Sequence, residues 1–314
     1  MHIPDGFLSF LVSIVFWVIS VILIGIALKK TNQELKEREV PLMGVLAAAI
    51  FAAQMLNFSI TGGTSGHFLG AAIMVILIGP WPAILVMTSV VSVQALLFQD
   101  GGVLVLGANI FNMAIVGVFV AYAVYSFVSK LFQRKSWGIF VAGFAAAWSS
   151  IFIASLSCAL QVALSGTSPA NIAIPAMGTI HALIGIAEGL ITTGALAFLF
   201  AARKDLLGIS KAKSEGNTGV FVGGGLIALV LVVISPLASS HPDGLEWVAG
   251  RYGFIETARE SIFKIIPNYH LSGISNPALA TIAAGIVGIV VVFGVAYGVA
   301  CADKRPTPQE NDRR

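Results

Sequence analysis

Charge is scarce in this chain. Only 11% of its 314 residues are Asp, Glu, Lys or Arg, whereas 57% are hydrophobic; ordinary soluble domains carry about 25% charged residues. A water-soluble globule with a charged surface is therefore excluded. Cysteine is nearly missing too. Cys158 and Cys301 lie far apart in apolar surroundings, supporting neither a disulfide framework nor a thiolate metal cluster. Metal chemistry must then rest on nitrogen or oxygen. No basic run points to nucleic acid as a partner. Neither a Gly-x-x-x-x-Gly-Lys-Ser/Thr loop nor a His-Glu-x-x-His helix occurs, so intrinsic nucleotide hydrolysis and zinc proteolysis are disfavoured. No internal repeat suggests an inverted-repeat carrier. The opening MHIPDGFLSF lacks Lys and Arg and places Asp5 where a secretory leader would be positive, so the N-terminus is expected to be retained.

What the chain has is apolar length. About 20 apolar residues cross the roughly 30 Å of hydrocarbon, and the sequence divides into nine such runs, at 7–28, 42–60, 67–79, 83–98, 106–128, 137–164, 172–202, 220–237 and 277–300. The third and fourth are short and separated by Pro80-Trp81-Pro82, giving two short spans or one broken element. The fold class expected is all-α: a polytopic membrane helical bundle of about seven spans, followed by a two-helix hairpin that holds an outer loop at 238–276. A polar linker at 204–218 divides the chain into modules at 1–203 and 219–302, with a tail at 303–314. With the N-terminus outside, all but three of the 18 Lys and Arg face the cytoplasm. Those three, Arg251, Arg259 and Lys264, share the outer loop with four acids. The positive-inside rule thus predicts an outer N-terminus and a cytoplasmic C-terminus.

The residues best suited to chemistry begin the chain. A free amine at Met1, the His2 amide and the His2 imidazole place three nitrogens within two residues, and planar nitrogen sets suit Ni(II) or Cu(II) better than Zn(II). His67, after the Thr61–Gly66 loop on the same predicted face, supplies a fourth. Alone, either histidine reads as an ordinary interfacial residue; together they favour a metal site. Thr64 and Ser65 can orient an imidazole or satisfy loop backbone groups, and Asn109 is a further candidate support near the site. Gly44, Ala48 and Ala52 form a small-residue stripe suited to close helix approach. His181 and Glu188, two turns apart on one helix face, are candidates for a buried polar network or for metal passage. Gln94, Gln99, Asp100 and Asn112 gather near the 98–106 connection, where they cap helices or line a pocket mouth. Asp243 and Glu246 have capping-box spacing, with cation collection as the alternative.

MHIPDGFL at 1–8, GGTSGHFLG at 62–70, QALLFQDGGVLVLGANIFNM at 94–113 and HALIGIAEGLIT at 181–192 resemble the CbiM/NikM family. These are substrate-binding (S) subunits of energy-coupling-factor (ECF) transporters for cobalt or nickel. The likeness covers about 1–203, and the tail with HPDGLE at 241–246 resembles the NikN/CbiN component. The resemblance implies an S-subunit fold with an extra N-terminal helix, and coordination by the amine of Met1, the backbone and side chain of His2, and the side chain of His67. It also implies a transmembrane coupling (T) subunit facing Gly44, Ala48 and Ala52, and separate ATP-binding-cassette ATPases. No catalytic residue or resident cofactor is implied; Ni(II) or Co(II) is the cargo. Nickel is preferred, with cobalt supply for cobalamin biosynthesis as an alternative. A stand-alone channel or proton-coupled carrier using Glu188, His181 and Asp100 is the reading from another class.

Overall fold

The computed structural model describes residues 1–34, 40–133, 135–204, 206–207 and 218–303. Most of the expected linker, the tail beyond 303, and Lys36, Arg38, Arg134, Lys211 and Lys213 lie outside the described residues. Among the described residues, six helices are long and apolar enough to cross a bilayer: Phe10–Gln33, Pro80–Phe98, Leu106–Leu131, Gly138–Leu164, Ala170–Ala202 and Pro277–Ala302. Val40–Gln54 and Phe221–Leu237 are shorter apolar helices. The molecule is thus a helical membrane bundle, with Phe10, Leu11, Val18 and Val21 of the first helix among the large side chains left exposed, as a lipid-facing surface requires.

In chain order the helices are α1 (Phe10–Glu34), α2 (Val40–Gln54), α3 (Ala71–Ile78), α4 (Pro80–Phe98), α5 (Leu106–Ile110), α6 (Gly117–Leu131), α7 (Gly138–Leu164), α8 (Ala170–Ala202), α9 (Thr218–Ile234), α10 (Gly244–Tyr252) and α11 (Pro277–Asp303). A π-helical turn, Phe111–Val116, joins α5 to α6. Within it Asn112 exchanges amide hydrogen bonds of 2.8 Å with Gln161 of α7. That pairing satisfies both buried amides where no water would.

Two expected runs take a different shape. The run at 67–79 opens as a strand, and its helix α3 has 8 residues, about 12 Å of helix. Gly70 and Gly79, at φ 82° and 78°, break the backbone on either side of α3. The run at 42–60 ends as helix at Gln54, and its last residues form β1 (Asn57–Ile60), paired antiparallel with β2 (Thr64–His67). Gly62 and Gly63 take positive φ at the turn, a conformation that glycine adopts without Cβ strain. The register sets Asn57 opposite His67, leaving the histidine at the hairpin's base beside the helices.

Helices α9 and α11 form the expected hairpin and pack on α2. The Gly44, Ala48 and Ala52 stripe is buried within the chain. A Cβ on Gly44 would stand 2.9 Å from the Phe293 ring of α11. In this structure the stripe's close neighbour at Gly44 is the chain's own last helix, the contact within the chain that such a stripe equally suits: the absence of a side chain at 44 is used to seat Phe293.

Candidate metal site

The N-terminus is drawn into the protein, Met1 being 2% and His2 7% exposed. Ile3 anchors it: its N–H donates to Asn109 Oδ1 at 2.8 Å, and its carbonyl accepts from Asn109 Nδ2 at 3.0 Å and from the Gly102 N–H at 2.8 Å. Asp5 accepts from the N–H groups of Val103, Leu104 and Val105 at 3.1, 2.9 and 3.3 Å. A carboxylate serves three otherwise open donors before α5 in this way. Gly102 permits the approach, because a Cβ there would collide with Asp5.

These anchors bring the nominated nitrogens together. The Met1 amine lies 3.2 Å from His67 Nε2, and the His2 ring stacks on the His67 ring at 5.0 Å between centroids and 27° between planes. His2 Nε2 lies 3.1 Å from Gln94 Oε1, and Nδ1 lies 3.1 Å from Asp100 Oδ1. A chelate through Nδ1 must therefore take it from Asp100. Burial, then the positive amine, hold His67 well below the usual imidazole range, so its ring is neutral and able to ligate.

The amine also donates to the carboxylate of Asp243. Burial works against that carboxylate's charge, but the amine and the bonds it receives hold it well below the usual range. Asp243 is at once the N-cap of α10. It accepts from Leu245 N at 2.8 Å and Glu246 N at 2.9 Å, while Asp243 N donates to Glu246 Oε2 at 3.2 Å, closing a capping box. Burial and then the charge of Asp243 raise the Glu246 carboxyl.

Thr64 and Ser65 grip the C-terminal module. Ser65 donates from N to Pro242 O and from Oγ to His241 O, both at 2.8 Å, and Thr64 Oγ1 lies 3.3 Å from Pro242 O. Trp247 Nε1 donates to Gly62 O at 3.0 Å. Both hydroxyls are therefore spent on backbone carbonyls, and the His67 ring is steadied by Phe68 O, 3.3 Å from Nδ1. Tyr269 of the same outer region donates to Asp100 Oδ2 at 2.5 Å.

His181 and Glu188 are both buried, but they do not form one network. Glu188 accepts from Leu69 N at 2.8 Å and Gly70 N at 2.9 Å, pinning the strap after His67. His181 Nδ1 donates to Met177 O at 2.9 Å. Seven residues of rise, about 10 Å, separate the two.

Two cavities flank the nitrogens. A polar one of about 340 Å³ is lined by His2, Asp5, Asp100, Asp243, Glu246 and Tyr269, among others. A void of about 10 Å³ on the other side is bounded by Met1, Gly66, His67, Ile151, His181, Ile184, Asp243 and Gly244. No three His, Cys, Asp or Glu side chains converge as a metal cluster among the described residues. Sequence reading left Asn109 open and missed the pairing of Met1 with Asp243. The Asp-Gly-Gly at 100–102 carried the available signal, since paired glycines mark close backbone approach.

Residues 2–206 match the family described as CbiM, cobalt uptake substrate-specific transmembrane region. The chain belongs to the CbiM family. Residues 218–305 match the PDGLE domain, fused in this member of the family to the same polypeptide. A relative in Archaeoglobus fulgidus that bears a NikMN name is 37% identical over 308 residues, covering 95% of this chain and 98% of its own. The fused nickel transport protein NikMN of Rhodobacter capsulatus is 27% identical over 97% of this chain and 99% of its own. The cobalt transport protein CbiM of Sorangium cellulosum is 33% identical over 66% of this chain and 94% of its own. A crystal structure of a transition metal transporter aligns with TM-score 0.59 at 33% identity, over 65% of this chain and 94% of that one. This CbiM-family chain is accordingly a multi-pass membrane component of nickel or cobalt transport, and not an enzyme.

Proposed function

We propose that the chain is the metal-binding S subunit of an ATP-driven ECF transporter for divalent metal uptake, with nickel preferred over cobalt. The Met1 amine, the His2 amide, His2 Nδ1 and His67 Nε2 form the nitrogen set. The N-terminus faces outward and the C-terminus inward. A T subunit and separate ATPases supply the energy, and the fused PDGLE module helps the N-terminal segment open and load. One observation carries this reading: the buried amine already stands 3.2 Å from His67 Nε2 with the His2 ring stacked alongside. Planar nitrogen donors favour Ni(II), and the named relatives that span both modules carry nickel names.

The test is calorimetric titration of Ni(II) and Co(II) into purified protein tagged only at its C-terminus, compared with the same protein extended by one alanine. Loss of tight binding on extension is expected, with nickel bound more tightly than cobalt. Equal binding by both forms would reject the N-terminal chelate. Uptake of radioactive nickel by cells that produce the chain with and without ATPase partners tests the energy source.

A further inference from the structure

We propose that His181 is an inner metal ligand, taking the ion from the N-terminal chelate when it opens and passing it into the bundle. This rests on the reading above, in which Met1, His2 and His67 hold the ion first. The polar cavity touches His2 from the loop side, where Asp5, Asp100, Asp243, Glu246 and Arg259 line it. The small void lies on the other side, against Ile151 in the middle of α7 and Ile184 of α8. An ion leaving inward must pass from Met1 and His67 into that void, and the further donor waiting on α8 is His181.

Its geometry suits the task. The Met177 carbonyl takes the Nδ1 proton, which fixes the tautomer and leaves the Nε2 lone pair free; metal-ligating imidazoles are commonly held this way. No hydrogen-bond partner meets Nε2 among the described residues. Gly244 keeps the ring edge accessible, since a Cβ there would stand 2.8 Å from His181 Cε1 and 3.2 Å from Nε2. Glu188, two turns further along α8, is occupied by the Leu69 and Gly70 N–H groups. That assigns the first inward station to His181.

The experiment uses the full chain and Cu(II) as a spin probe. In His2→Ala the outer imidazole is gone, and pulsed electron paramagnetic resonance counts the imidazoles coupled to copper. Two are expected, falling to one in His2→Ala/His181→Asn. In the otherwise native chain, His181→Asn is expected to lower nickel uptake by cells about tenfold while calorimetric nickel affinity is unchanged. The same imidazole count in both copper samples, or native uptake by the single variant, overturns the proposal. So does parallel loss of affinity and uptake, which marks a structural role. Failure of the N-terminal reading shows separately, as nickel binding that survives alanine extension.

Discussion

The amine of Met1 and the carboxylate of Asp243 are neighbours across 242 positions of sequence. One belongs to the CbiM-family region and the other to the fused PDGLE domain. The carboxylate therefore occupies a proposed metal ligand and caps α10 with the same group. In the proposed chelate, metal binding displaces both a proton from the amine and this contact.

Asp243→Asn keeps an N-cap but removes the charge, so it separates the two roles. Breaking a buried ion pair from one side costs about 3 kcal/mol or more, and this loss is expected in thermal unfolding of the metal-free protein at neutral pH. Asp243→Ala loses the cap as well and is expected to fall a further ~1 kcal/mol.

Stability of the metal-free protein is expected to fall as pH drops below 6.5. Folded His67 binds its proton less tightly than the unfolded chain does, because burial and the nearby amine oppose the charge. The unfolded state therefore takes up the proton first. The stabilisation is full above the ordinary imidazole value of about 6.5 and is lost as pH falls through it. Asp243, held well below its usual range, stays ionised across this window. His67→Asn should flatten the slope of melting temperature against pH between neutrality and mild acid; an unchanged slope would assign it elsewhere.

Glu188→Ala removes the acceptor for Leu69 N and Gly70 N while touching neither Met1 nor His2. Nickel affinity is expected to weaken about 10- to 100-fold, the usual cost of freeing a ligand's support. Hydrogen exchange should quicken at the amides of Leu69 and Gly70 first. Native affinity with quickened exchange would show that the strap need not be rigid.

Gly44→Val drives a side chain into the Phe293 ring. Overpacking of this kind costs about 1–3 kcal/mol, and thermal unfolding should show it. Phe293→Ala in the same chain should recover part of the loss, giving a non-additive double-mutant cycle. Additive losses would show that the two residues do not meet.

Most of the bundle was legible because a bilayer demands long apolar runs and the sequence shows them plainly. The runs at 42–60 and 67–79 were drawn too long for one reason: hydropathy records burial and not backbone conformation. The helix of the first ends at Gln54 and its last residues pair as β1, glycines at 62 and 63 close the hairpin, and Gly70 and Gly79 hold α3 to 8 residues. The capping box at Asp243 was also readable, since its partners are 2 and 3 residues away.

The sequence by itself determined the membrane class, the two-module order and the candidate nitrogens at Met1, His2 and His67. These depend on composition and on short spacings that local chemistry fixes. The tertiary structure alone decided that Asp243 meets the amine, that Thr64 and Ser65 hold the PDGLE module, that Phe293 covers Gly44, and that His181 and Glu188 serve different neighbours. Each of these pairs residues far apart in the chain, or gives two residues of one helix face separate surroundings. Such contacts follow from how the helices pack, and no local periodicity encodes them.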